Sequence, residues 1–131
     1  MKVVINRCFG GFGLSDEAMM LYGHKKGKQL YRYKSDMHEN ITMINEPDRF
    51  LTFYFSEPNL TNWPEDKTLC VADCDIPRDD PDLVSVVEEL GNRASGQYAK
   101  LSVVEIPDGI EWEIDEYDGN ETVEESHRSW S

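Results

Sequence analysis

A chain of 131 residues, 39% hydrophobic and 11% aromatic, is long enough to bury one ordinary core, so a single domain over residues 1–131 is expected. The net charge of −13 disfavours ordinary nucleic-acid binding, and no apolar run approaches the length of a membrane span. Cys8, Cys70 and Cys74 are odd in number and lack the spacing of a disulfide framework, which points to reduced thiols and a cytoplasmic setting.

In chain order, residues 1–7 read as a buried-type strand, with Val3, Val4 and Ile5 in a row. They do not read as a signal peptide, because Arg7 and a run of glycines follow at once. Residues 8–13 form a glycine-rich loop. Ser15 then caps a helix that begins at Asp16 and ends near Lys25, Lys26 and Gly27. Residues 29–34 alternate as a strand through Leu30, Tyr31 and Tyr33. Strand, glycine loop, helix and strand together predict an N-terminal βαβ unit with a right-handed crossover.

A short strand is expected over residues 41–44, and residues 49–55 carry the strongest strand signal in the chain. Residues 56–82 hold Pro58, Pro64, Pro77 and Pro81 among many acids, and predict an irregular excursion with a strand over 68–72. Asp80-Pro81-Asp82 is a helix start, and Leu83, Val84, Val87 and Leu90 make an apolar face that stops at Gly91. Strands are expected over residues 99–106 and 110–117, paired across the Pro107-Asp108-Gly109 turn. Asp118-Gly119-Asn120 turns the chain into a short polar helix over 121–127, with Trp130 packing back on the body. The fold class is therefore α+β, or α/β: one compact domain with a mixed sheet of about five strands and two or three helices.

Charge divides along the chain. Residues 1–34 carry seven Lys/Arg against two Asp/Glu, and residues 35–131 carry six against twenty-four. The Gly10-Gly11-Phe12-Gly13 loop sits where backbone amides and a helix N-terminus hold anions. Asn6 and Arg7 precede it and Ser15 follows, with Phe9 and Phe12 placed to stack on a base. The same loop is equally a tight turn whose glycines serve positive φ and close packing. His24-Lys25-Lys26-Gly27-Lys28 is a basic cluster that suits the negative end of a helix.

Ten acids and no Lys, Arg or His lie between Glu105 and Glu125. Glu111, Glu113, Asp115, Glu116 and Asp118 fall there, with Trp112 and Tyr117 as candidate anchors, and Arg128 and Trp130 follow near the end. This stretch is either a solvated face or an acidic surface that imitates a phosphate row and meets a basic protein. Cys70 and Cys74 supply two thiols where a zinc site needs four ligands, and residues 115–120 do not match a calcium loop. No metal and no cofactor is expected.

Three stretches carry a resemblance. They are Ile5-Asn6-Arg7-Cys8-Phe9-Gly10-Gly11-Phe12-Gly13-Leu14-Ser15, then Asp80-Pro81-Asp82-Leu83-Val84 through Glu88-Glu89-Leu90-Gly91, then Val103-Val104-Glu105-Ile106-Pro107-Asp108 on to His127-Arg128-Ser129-Trp130. On these the chain resembles a family of short bacteriophage and prophage proteins with no assigned activity. The resemblance covers both ends and leaves residues 35–75 aside. It implies a setting, the cytoplasm of an infected bacterium, and a small accessory protein of the kind that inhibits host defence.

Three functions follow as expectations. The first is a non-enzymatic binding protein that engages a basic host protein through the acidic surface. The second is a small-ligand binder that sequesters a nucleotide-like anion at the glycine loop. The third is an enzyme using a carboxylate or a thiol such as Cys8, which has no histidine near it in sequence.

Overall fold

The computed structural model describes residues 1–8, 11–36, 40–47, 51–97 and 99–125. Its elements, in order, are β1 (Lys2–Asn6), α1 (Asp16–Lys25), β2 (Tyr31–Ser35), β3 (Ile41–Ile44), β4 (Phe53–Phe55), α2 (Pro81–Leu90), β5 (Leu101–Glu105), β6 (Trp112–Tyr117) and β7 (Asn120–Glu125), with short 3-10 turns between β4 and α2 and after α2. The chain is α+β. It divides into two compact units: Met1–Ala18 with Ile76–Ser131, and Met19–Asp75. Acidity follows this division. The first unit carries six Lys/Arg against seventeen Asp/Glu, and the second seven against nine.

In the first unit β1 pairs antiparallel with β5, in a register that sets Lys2 opposite Glu105 and Asn6 opposite Leu101. Val3, Val4 and Ile5 are wholly buried, as an apolar run covered on both faces must be. Val3, Ile5 and Ile106 form one cluster, and Trp112, Ile114 and Val123 of the β6–β7 hairpin pack on it. Helix α2 lies against β1 and β5. It starts as its sequence dictates: the Asp80 carboxylate accepts from the Asp82 amide at 2.8 Å, and Pro81 takes a position whose missing N–H costs nothing. It buries Leu83, Val84, Val86 and Val87 and ends at Gly91, whose φ of 59° suits a residue without a side chain.

In the second unit β2 is the centre of a three-stranded antiparallel sheet in the order β3-β2-β4. Tyr33, Ile41 and Phe55 form its core, with Tyr31, Phe53, Leu60 and Leu69 packed around them. The Tyr33 hydroxyl donates to the Glu57 carbonyl at 2.6 Å and accepts from the Leu60 amide at 3.1 Å, so the phenol fixes the loop after β4.

Several sequence expectations are corrected. The predicted mixed sheet of about five strands is three small antiparallel sheets. The βαβ unit does not form. The order β1-α1-β2 is present, but β5 takes one side of β1, and β3 and β4 take both sides of β2. The strand expected over 49–55 spans Phe53–Phe55, with residues 49 and 50 outside those described. The strand expected over 68–72 is a 3-10 turn, Lys67–Leu69, capped by Asp66, followed by a single bridge from Cys70 to Phe55.

The expected pairing of residues 99–106 with 110–117 is replaced by β1 with β5 and β6 with β7. Of the helix expected over 121–127, residues 121–125 lie in strand β7, and residues 126 and 127 are outside those described. The second has a local cause: Asp118 and Gly119 have φ of 49° and 90°, the two positive values of a type I′ hairpin turn. That turn folds residues 120–125 back on β6, and their alternation then follows strand period: Glu121 is buried and Val123 half-buried, while Thr122 and Glu124 are exposed.

Candidate functional site

The hairpin sorts its side chains by the pleat. Trp112 and Ile114 turn toward the Val3–Ile5 cluster with Val123. Glu113, Asp115 and Tyr117 take the other face, with Glu124, Thr122 and Asn120 as their cross-strand partners. Glu113, Asp115 and Glu124 are exposed, and Tyr117 is 74% exposed beside the turn. Glu113 stands directly opposite Glu124. Glu111 and Asp118 are exposed at the two ends of β6, and Glu116, on the Trp112 side of the pleat, is exposed as well. Trp112 is therefore a packing residue of the hairpin, and Tyr117 is its solvent-facing aromatic. Arg128 and Trp130 lie outside the described residues.

The turn of this hairpin is held by a buried polar network. Asn6 is fully buried, and its side-chain amide donates to the carbonyls of Cys8 at 2.8 Å and Gly119 at 2.7 Å. Its side-chain oxygen accepts from the Lys100 amide at 2.8 Å, and its own amide donates to Glu121 at 2.8 Å. Glu121 in turn receives both guanidinium arms of Arg78, at 2.5 and 2.9 Å. The Arg78 guanidinium also lies 3.7 Å over the Phe12 ring. Two stretches read separately in the sequence, the glycine loop and the acidic hairpin, are thus joined through Asn6, Arg78 and Glu121.

Residues of the glycine loop take several roles. Phe12 covers one face of Arg78. The Gly13 carbonyl accepts from Gly96, and a side chain at Gly96 would meet Gly13 backbone at 3.1 Å, so the loop packs closely there. Ser15 accepts from the Ala18 amide at 3.1 Å and donates to the Arg93 carbonyl at 2.6 Å, capping α1 as expected. Gly11 has φ of 93°. Phe9 and Gly10 lie outside the described residues.

Arg7 is exposed, and its amide donates to the Lys100 carbonyl at 2.8 Å, one step beyond the last ladder pair. Lys100 is exposed too, and neither side chain has a hydrogen-bond or ion-pair partner among the described residues. Sequence reading passed over Lys100, as it did Arg78. Each lies far from the loop along the chain, and the only signal was its rarity: six Lys/Arg serve the whole first unit.

All three cysteines are free thiols. Burial, with the charges of Asp75 and Cys74, raises the Cys70 thiol above its ordinary pKa. Among the described residues no cluster of His, Cys, Asp and Glu has an arrangement fit for a metal ion, and no helix is long and apolar enough to cross a membrane. No protein-family model, no curated protein and no solved structure matches this chain.

Proposed function

We propose that this protein works by binding, and that its working surface is the outward face of the β6–β7 hairpin, docked on a basic protein. The observation that carries the reading is the Glu113–Glu124 pair. Like charges directly opposite on a ladder destabilise it, and this pair keeps its arrangement on an exposed face where a lysine at either position would stabilise it. Asp115 extends the row, with alternate residues about 6.7 Å apart along the strand. Such a row steers a basic partner and rejects acidic ones. Tyr117, with most of its ring in solvent, supplies the apolar anchor that charge alone lacks.

In the bacteriophage setting that the resemblance implies, the partner is a host protein of the bacterial cytoplasm, and occupation of its basic surface inhibits a host defence factor. The test is capture from bacterial lysate at low and high salt by the wild type and by the triple variant Glu113→Lys, Asp115→Lys, Glu124→Lys. Salt-sensitive partners retained by the wild type and lost by the variant support the reading. The same partners on both proteins, with the same salt response, would sink it.

A further inference from the structure

We propose a second site in the same unit, separate from the acidic face: a phosphate-binding site formed by Arg7 and Lys100 where β1 and β5 run out. The Arg7 amide bonds to the Lys100 carbonyl just past the Asn6–Leu101 pair, while the Lys100 amide turns to the Asn6 side chain, so the two residues lie side by side where the ladder ends. With their backbones joined by that bond, the long side chains of an arginine and a lysine reach a common point. Both are exposed and neither is paired among the described residues. Two cations held opposite destabilise a ladder end, and an anion between them reverses that effect.

The backbone beside the pair is also anchored. Asn6, wholly buried, accepts from the Lys100 amide and donates to the Cys8 carbonyl, so one side chain fixes the backbone beside both cations. A planar fork and a point charge together suit the oxygens of a phosphate or diphosphate group. The acid excess of the surrounding unit selects further. At physiological ionic strength its field is screened beyond about 8 Å, so a compact, highly charged group at contact distance is attracted while an extended nucleic-acid strand meets the acidic face. One face of Phe12 is already covered by Arg78.

The experiment is calorimetric titration with pyrophosphate at constant ionic strength, on the wild type, Arg7→Gln, Lys100→Gln and the control Lys67→Gln, an exposed lysine of the other unit. Saturable binding by the wild type and control, at least tenfold weaker in both variants, supports the site. A wild type without saturable binding, or variants that bind as tightly as it does, overturns it. A melting series gives an independent check: Lys100→Gln melts above the wild type without pyrophosphate and below it at saturation, and an unchanged order counts against the proposal. Titration with ADP separates the sources. Equal affinity assigns recognition to the phosphates alone, and tighter ADP binding assigns it to a nucleotide that carries them. The triple-lysine hairpin variant retains pyrophosphate binding, so this site and the acidic face stand or fall separately.

Discussion

Arg78 holds Glu121 with both guanidinium arms, at 2.5 and 2.9 Å, while its face rests 3.7 Å over the ring of Phe12. The carboxylate side chain is 5% exposed, so this is an ion pair with little water to replace either partner. The same guanidinium donates to the Val4 carbonyl at 3.3 Å, and the Arg78 carbonyl accepts from the Val4 amide at 2.8 Å. One residue thereby ties β1, the glycine loop and the hairpin together.

Removing one side of such a pair is costly, because the other charge stays buried. Arg78→Ala is expected to lose about 3–5 kcal/mol of stability. Replacing both partners by apolar residues of similar volume, Arg78→Met with Glu121→Leu, loses much less. Urea unfolding of the single and double variants checks this. A double variant no better than Arg78→Ala would mean that the pair acts through something other than charge compensation.

Asn6, itself wholly buried, satisfies two carbonyls and one amide, and its bond to Gly119 is buried as well. Asn6→Ala leaves all three without that partner, at about 1–3 kcal/mol each before relaxation, so a loss of about 3 kcal/mol is expected. Because Gly119 loses its anchor, β7 amides exchange faster in the variant than amides of β2 in the other unit. Uniform acceleration across both units would contradict the anchoring role.

Gly23 lies inside α1, where glycine is normally a cost. A Cβ there would stand 2.5 Å from Cγ and 2.8 Å from Cδ1 of Leu30, which is buried. Gly23→Ala is therefore expected to destabilise by about 1–3 kcal/mol despite the better helix propensity of alanine. Combined with Leu30→Ala, the added methyl becomes tolerable and most of the further cost disappears. Thermal melts of the two singles and the double decide whether this contact is the cause.

Asp66 accepts from the Thr68 hydroxyl at 2.6 Å and from the Thr68 amide at 3.0 Å, and these bonds hold its carboxyl below the ordinary value. A depressed carboxylate stabilises the fold above its unfolded pKa, and that contribution fades as pH falls through the folded one. Thr68→Val removes the hydroxyl, the larger cause, so the Asp66 midpoint moves up toward the ordinary value. Carboxyl chemical shifts followed through an acid titration measure it. An unmoved midpoint would assign the effect to the amide alone.

Local features are legible in the amino-acid order alone. Ser15 and Asp80 mark helix starts, Gly91 marks a helix stop, and both helices lie where those signals place them. The strand over β6 is local too, and its pleat sets Trp112 and Ile114 on one face and Glu113 and Asp115 on the other whatever strand it meets. Strand pairing is settled by long-range packing. β1 could meet β2 or β5 on grounds of composition, and the difference lies in contacts between residues about a hundred positions apart. The acids of the β7 segment fit either a helix or a strand period, and the positive φ of Asp118 and Gly119, with Glu121 buried and Val123 partly buried, fixes the strand. Lys100 beside Arg7, and Arg78 between Phe12 and Glu121, have no local signature at all. Their meaning comes from proximity, which the chain acquires only on folding.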